Sequence, residues 1–285
     1  MTQQPDPRDE LPGLLDRPAG MAAAFNRVAD GYDARPGYPD WVFDLLADRC
    51  GLGPGVEVVE IGPGVGQATL PLVERGARVV AVEPGPALAE RLDARTPDRS
   101  VRVVVSRFED AALPAASFDL VVAATAFHWV DPIAGVDKAA TLLRDDGWLA
   151  LWWNIWGDDD RPDPFYDALH PVVLAKAPHL AGEESSTAAY RRDIAARMAA
   201  IERSDAFGPV REEVLQWEGR HDALALRQMF ATFGGWISLD DALREELLDD
   251  VERIARDDFG GEVRRPYLTV IYMTQRLPRP RVAAL

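Results

Sequence analysis

Between residues 56 and 153, five short runs rich in β-branched residues alternate with longer segments whose apolar residues recur at helical spacing. The runs are VEVVEI (56–61), ARVVAVE (77–83), VRVVVS (101–106), FDLVVAA (118–124) and WLALWW (148–153), and between them lie GQATLPLVERG, PALAERLDART and IAGVDKAATLLRDDG. Short apolar runs bounded by turn residues read as strands, and apolar residues at a period of 3.6 read as helices. Strands alternating with helices require a parallel sheet, because parallel neighbours need a crossover connection, and the helices then cover both faces. The pattern predicts an α/β fold with a doubly wound, Rossmann-like sheet.

Outside that core the alternation breaks. Segments 158–206 and 222–257 are helical in pattern, VREEVLQWEG (210–219) suits a sixth strand, and YLTVIYMTQRL (267–277) suits a buried final strand. Ahead of the core, FNRVADGYDARPGYPDWVFDLLADRCGL reads as two short helices separated by RPGYP, with Asp40 as the expected N-cap of the second. Residues 1–21, proline-rich and charged without an apolar period, are expected to be a flexible tail. Residues 22–285 are then one domain, with a ligand-binding core at 56–153 and helical insertions covering the site.

The formal net charge is −16, and only two of the 31 basic residues, Lys138 and Lys176, are lysines. Such a surface repels phosphates over most of its area, which argues against nucleic acid as substrate or partner. No run of 18 apolar residues occurs, and MTQQPDPRDELPG lacks the basic and apolar regions of a signal peptide, so no membrane association and a cytoplasmic location are expected. A single cysteine, Cys50, excludes an internal disulfide, and its place after WVFDLLADR suggests a helix end rather than a nucleophile. His170, His179 and His221 show no metal-ligand spacing, so no metal site is expected.

The chemistry is concentrated in VVEIGPGVGQATL, where Gly62, Gly64 and Gly66 follow a strand and open a helix. A sharp turn and a ligand lying close to the backbone both call for glycine, and the helix start adds unpaired N–H groups. Glu83 ends the next strand, 17 residues beyond the last glycine, where an acid can accept hydrogen bonds from both hydroxyls of a ribose. Together these features indicate a nucleoside cofactor. Spacing G-x-G-x-G differs from the G-x-G-x-x-G of dinucleotide sites. Glu60, just before the loop, would be awkward beside a pyrophosphate and useful near an ammonium group.

The segments Glu60-Ile-Gly62-Pro-Gly64-Val-Gly66-Gln67, Glu83-Pro84-Gly85, Phe108-Glu109-Asp110 and AATAFHWVDP resemble class I S-adenosylmethionine-dependent methyltransferases, with trans-aconitate and ubiquinone-biosynthesis-type enzymes as the most similar branch. The resemblance covers roughly residues 22–153. It implies a seven-stranded, mostly parallel sheet with a reversed last strand, S-adenosylmethionine as cofactor and S-adenosylhomocysteine as product. By the same resemblance Gly62, Gly64, Gly66 and Gln67 would lie under the methionine part of the cofactor. Glu83 and Pro84 would flank the ribose, Phe108 and Glu109 the adenine, and Ala124 and Thr125 the sulfonium. Tyr32 and Arg35 of GYDARPGYP would close over the methionine carboxylate. Many relatives carry Gly-Asp where this chain has Ser106 and Arg107.

His128 and Trp129 follow the fourth strand at its carboxyl end, where open α/β sheets bind ligands. An imidazole there suits a general base, with packing in a loop as the alternative role. Trp129 and Asn154 are expected to contact the acceptor, and Trp152, Trp153 and Trp156 offer either aromatic lining or core. Insertions build substrate pockets in this fold, so the residues leave O-, N- and C-methylation of a small molecule equally open. Two other functions fit a Rossmann-like chain: a nicotinamide oxidoreductase, for which no Tyr-x-x-x-Lys pair is present, and a non-enzymatic protein that binds S-adenosylmethionine.

Overall fold

The computed structural model describes residues 29–96, 100–158, 160–181, 194 and 198–279. The expected tail at 1–21 lies outside these residues, as do the start of the first expected helix and part of the 158–206 insertion.

Seven strands form one sheet: β1 (Glu57–Ile61), β2 (Arg78–Glu83), β3 (Val101–Val105), β4 (Phe118–Ala124), β5 (Leu143–Trp156), β6 (Arg211–Asp222) and β7 (Glu262–Gln275). Their order is β3-β2-β1-β4-β5-β7-β6. The first five are parallel, while β7 runs antiparallel to both β5 and β6. This is the doubly wound sheet with a reversed last strand. The chain crosses from one half of the sheet to the other at β1 and β4, the switch point where ligands bind in such folds.

Burial of both sheet faces explains the near-continuous apolar strands. On one face, Val58, Val79, Leu120, Val122, Ala150 and Trp152 pack against α1 (Asp40–Cys50), α2 (Thr69–Glu74) and α3 (Pro86–Arg95) through Phe43, Leu72 and Leu92. On the other, Val59, Val80, Val121, Leu149 and Trp153 pack against α4 (Pro132–Leu142) through Val136 and Ala139. Adjacent residues of each strand thus serve opposite layers.

A third cluster joins α5 (Pro164–Lys176), α6 (Ala223–Ala231) and α7 (Asp241–Asp257) around Phe165, Leu226, Leu247 and Val251. The abundant aspartates fix where these helices begin: Asp131, Asp163, Asp222 and Asp240 each accept a backbone N–H in the first turn of α4, α5, α6 and α7 respectively. Asp40 departs from that role. Pro39 occupies the N-cap and Asp40 is the first helical residue of α1, where its charge still complements the helix dipole. Cys50 ends α1 and is buried, which pushes its thiol pKa up to about 12.

Candidate active site

Two sharp turns shape the site. At Gly62 φ is +62°, and a Cβ there would stand 2.7 Å from the Ala126 Cβ, so a side chain would collide with the chain leaving β4. At Gly64 φ is +60°, and an added Cβ would meet the Tyr32 ring at 3.4 Å. Both positions need the left-handed backbone that glycine adopts without cost. A cavity of about 490 Å³ opens above them at the carboxyl ends of the strands.

Glu83, buried at the end of β2, binds the loop directly. Its Oε2 accepts the Gly64 N–H at 3.1 Å and its Oε1 accepts the Gly85 N–H at 2.8 Å. Burial raises its pKa, and the two backbone bonds act in the opposite direction. Each carboxylate oxygen has more than one lone pair, so the anchored acid keeps acceptor capacity for a ligand.

Glu60, at the penultimate position of β1, is fully buried and lines the cavity. Its Oε2 accepts the Thr69 hydroxyl at 2.6 Å, while its Oε1 has no hydrogen-bond partner among the described residues. Burial pushes the carboxyl up to about 7; the Thr69 bond lowers it and the nearby Glu83 charge raises it. A buried acceptor without a donor is costly, and a ligand cation or N–H would satisfy it.

The cavity also gathers Tyr32, Arg35, Gln67, Pro84, Phe108, Glu109, Ala124, Thr125, Trp129 and Asn154. Gln67 Nε2 donates to the Tyr32 carbonyl at 3.0 Å, tying the segment before α1 to the glycine loop. Phe108 is buried, with the Lys138 ammonium 5.5 Å from its ring centre. The Glu109 carboxylate is already engaged by Arg107 at 3.0 Å and by the Asp131 N–H at 3.2 Å. Gly66 lies below the loop rather than on the cavity wall: a Cβ there would meet Leu92 at 2.9 Å, so its glycine serves helix packing.

His128 is placed differently from the expectation of a base. Its ring is buried, is absent from the residues lining the cavity, and accepts the Trp153 indole N–H on Nδ1 at 3.0 Å. Trp152 and Trp153 are core, whereas Trp156 lines the cavity. Asn154 is anchored through its amide: Nδ2 donates to the Gly37 carbonyl at 3.0 Å and Oδ1 accepts the Thr269 hydroxyl at 2.7 Å. It ties the loop before α1 to β7 and keeps one amide N–H and one oxygen lone pair unused by these two bonds.

Tyr38 was not singled out in the sequence. Its hydroxyl donates to Thr125 Oγ1 at 3.0 Å, and both residues line the cavity. Thr125 has φ of +52°, an unusual angle for a β-branched residue, held by its N–H to the Trp152 carbonyl at 2.7 Å. The only cue for Tyr38 was an aromatic residue within the turn-rich RPGYP. Among the described residues, no group of three or more His, Cys, Asp or Glu side chains could hold a metal ion, and no helix is long and apolar enough to cross a membrane.

Known proteins share the fold, and others share sequence over part of the chain. A candidate type II methyltransferase from Anaeromyxobacter dehalogenans superposes with a TM-score of 0.59 at 24% identity, covering 86% of this chain and 99% of that one. A candidate methyltransferase from an antibiotic biosynthesis pathway of Anabaena variabilis gives 0.54 at 18% identity, covering 82% and 97%. At such identities the likeness shows the fold. In sequence, an uncharacterized methyltransferase of Mycobacterium tuberculosis is 36% identical over 139 residues, 47% of this chain and 53% of that protein. The chain thus spans about half the length of the curated relatives it matches. Residues 59–151, from β1 into β5 and including the glycine loop, Glu83 and Thr125, match the methyltransferase domain family.

Proposed function

We propose that this chain transfers a methyl group from S-adenosylmethionine to a small-molecule acceptor and releases S-adenosylhomocysteine. The observation that carries the reading is the cavity over the switch point in which Glu83 is bonded to Gly64 and Gly85 while the buried Glu60 Oε1 lacks a donor. Residues of the right chemistry stand at each end of such a cofactor. Glu83 would take the ribose hydroxyls, Phe108 would meet the adenine, and Glu60 would receive the ammonium of the methionine part. Tyr32 would cover that part over Gly64. When bound, the cofactor supplies an electrophilic methyl group.

Tyr38, Thr125 and Trp156 are the groups of this chain placed to orient an acceptor. His128 is already engaged through Nδ1 and lies off the cavity wall, so the acceleration rests on proximity and orientation rather than on a proton relay through it. The match of residues 59–151 to the methyltransferase domain supports this reading over a nicotinamide oxidoreductase. Titration calorimetry with S-adenosylhomocysteine and with NADH tests it: binding of the first and not the second is expected. The reverse would reject methyl transfer.

A further inference from the structure

We propose that Lys138 is a positioning residue for the adenine of the cofactor, its ammonium fixing the loop after β3 so that Phe108 and Glu109 are set before the base arrives. This deepens the methyl-transfer reading and rests on it.

Lys138 stands in α4, half-buried behind the cavity wall, and is not among the residues that line it. Its Nζ donates to the Glu109 carbonyl at 2.8 Å and to the Ala111 carbonyl at 2.6 Å. The same ammonium lies 5.5 Å from the centre of the buried Phe108 ring. Glu109 is thus gripped at both ends. Lys138 holds its carbonyl, while its Oε1 accepts the Arg107 guanidinium at 3.0 Å and the Asp131 N–H at 3.2 Å. Asp131 is the N-cap of α4, so one helix binds both the backbone and the side chain of this residue.

An outside tie is needed because residues 107–111 belong to no helix or strand. Within the segment, the Asp110 and Ala111 N–H groups reach back to the Arg107 carbonyl at 3.2 and 3.1 Å, which curls the chain and leaves the carbonyls of Glu109 and Ala111 to Lys138. Two carbonyls two residues apart converge on one point. A compact ammonium with three donors suits that point better than a planar guanidinium, and one of only two lysines among 31 basic residues stands here. The two residues that would meet the adenine are neighbours on this irregular loop. A loop ordered only on binding would give up part of its contact energy to that ordering, whereas a loop already tied to α4 keeps it.

The test separates the adenine from the rest of the cofactor. Affinities are measured calorimetrically for S-adenosylhomocysteine and for 5′-methylthioadenosine, which lacks the amino acid portion. S-ribosylhomocysteine, which lacks the adenine, is measured by its displacement of S-adenosylhomocysteine. Lys138→Met keeps the length of the stem and loses the donors. It should weaken the two adenine ligands about tenfold and S-ribosylhomocysteine by less than about twofold, which also shows that the variant is folded. Should Lys138→Met not fold, the shorter and neutral Lys138→Gln decides by the same comparison. Lys176→Met, at the other lysine, whose ammonium meets Glu246 and Asp250 on α7, should leave all three affinities unchanged. Equal losses for all three ligands in the Lys138 variant would make the residue a support of the fold at large and overturn the proposal. Unchanged affinity for all three would overturn it too. Failure of the wild type to bind S-adenosylhomocysteine would instead remove the methyl-transfer reading, and the adenine assignment with it.

Discussion

Glu83 accepts the backbone N–H of Gly64 at 3.1 Å, so the acid that ends β2 and the glycine loop that follows β1 form one bonded unit. Removing the carboxylate therefore has two effects. Glu83→Ala deletes the acceptor for the ribose hydroxyls and also strands the N–H groups of Gly64 and Gly85. S-adenosylhomocysteine binding should weaken by roughly 2 to 4 kcal/mol, two bonds to a charged group. Glu83→Gln, which keeps one acceptor oxygen, should lose less. Calorimetric affinities equal to wild type in both variants would remove Glu83 from the cofactor site.

Gly64 offers a sharper contrast. Its φ of +60°, and the Tyr32 ring only 3.4 Å from where a Cβ would stand, leave a branched side chain in conflict with both backbone and cavity. Gly64→Val should abolish detectable S-adenosylhomocysteine binding and shift Tyr32 away from the loop. The variant should still unfold cooperatively, because the loop lies above the sheet rather than within its packed layers. Normal binding by Gly64→Val would reduce the loop to a connection between β1 and α2.

The alternation of β-branched runs with helical segments was sufficient to read the parallel half of the sheet, because strands buried on both faces carry nearly pure apolar runs. Strand ends were less visible. β5 begins at Leu143, five residues before Trp148, through RDDG, whose polar residues sit at the exposed end of the sheet. β7 begins at Glu262, five residues before Tyr267, through EVRRP, whose charged residues and proline interrupt the apolar run although Val263 and Arg265 are buried. The glycine loop and Glu83 were readable from local spacing alone. Tyr38, the Arg35 contact with Thr232 and the Trp153 contact with His128 were not, since each depends on a long-range pairing that no local period encodes. His128 shows the consequence: its place after β4 follows from the strand pattern, but the direction of its ring depends on β5 beside it.

Glu60 predicts a pH dependence. Its carboxyl is held near 7 when folded, against an ordinary 4.5, so the folded protein binds that proton more tightly than the unfolded chain does. The associated stability is fully present below about 4.5 and is lost as pH rises through about 7. Glu60→Gln carries no such proton. Relative to wild type, the ligand-free variant should gain stability between pH 5 and pH 8, by up to roughly 3 kcal/mol for the full shift. Glu83 is shifted in the same direction and its charge acts on Glu60, so the difference between the two proteins reports the pair rather than Glu60 alone. Urea unfolding at several pH values measures this, and parallel curves for the two proteins would contradict a protonated Glu60.

The contact between His128 and Trp153 separates a packing role from a catalytic one. The Trp153 indole is fully buried and donates to His128 Nδ1, and the imidazole is itself buried away from the cavity wall. His128→Leu would leave that N–H without this acceptor in an apolar layer. The expected cost is about 1 to 3 kcal/mol in unfolding free energy, the usual penalty for a stranded buried donor. S-adenosylhomocysteine affinity should be nearly unchanged, since neither residue lines the cavity. Turnover per folded molecule, once an acceptor is in hand, should fall by less than about tenfold, against the 10²- to 10⁴-fold loss that removal of a general base produces. A large loss that shrinks as pH rises, without a change in stability, would return His128 to the role of base and require its ring to turn toward the acceptor when the cavity fills.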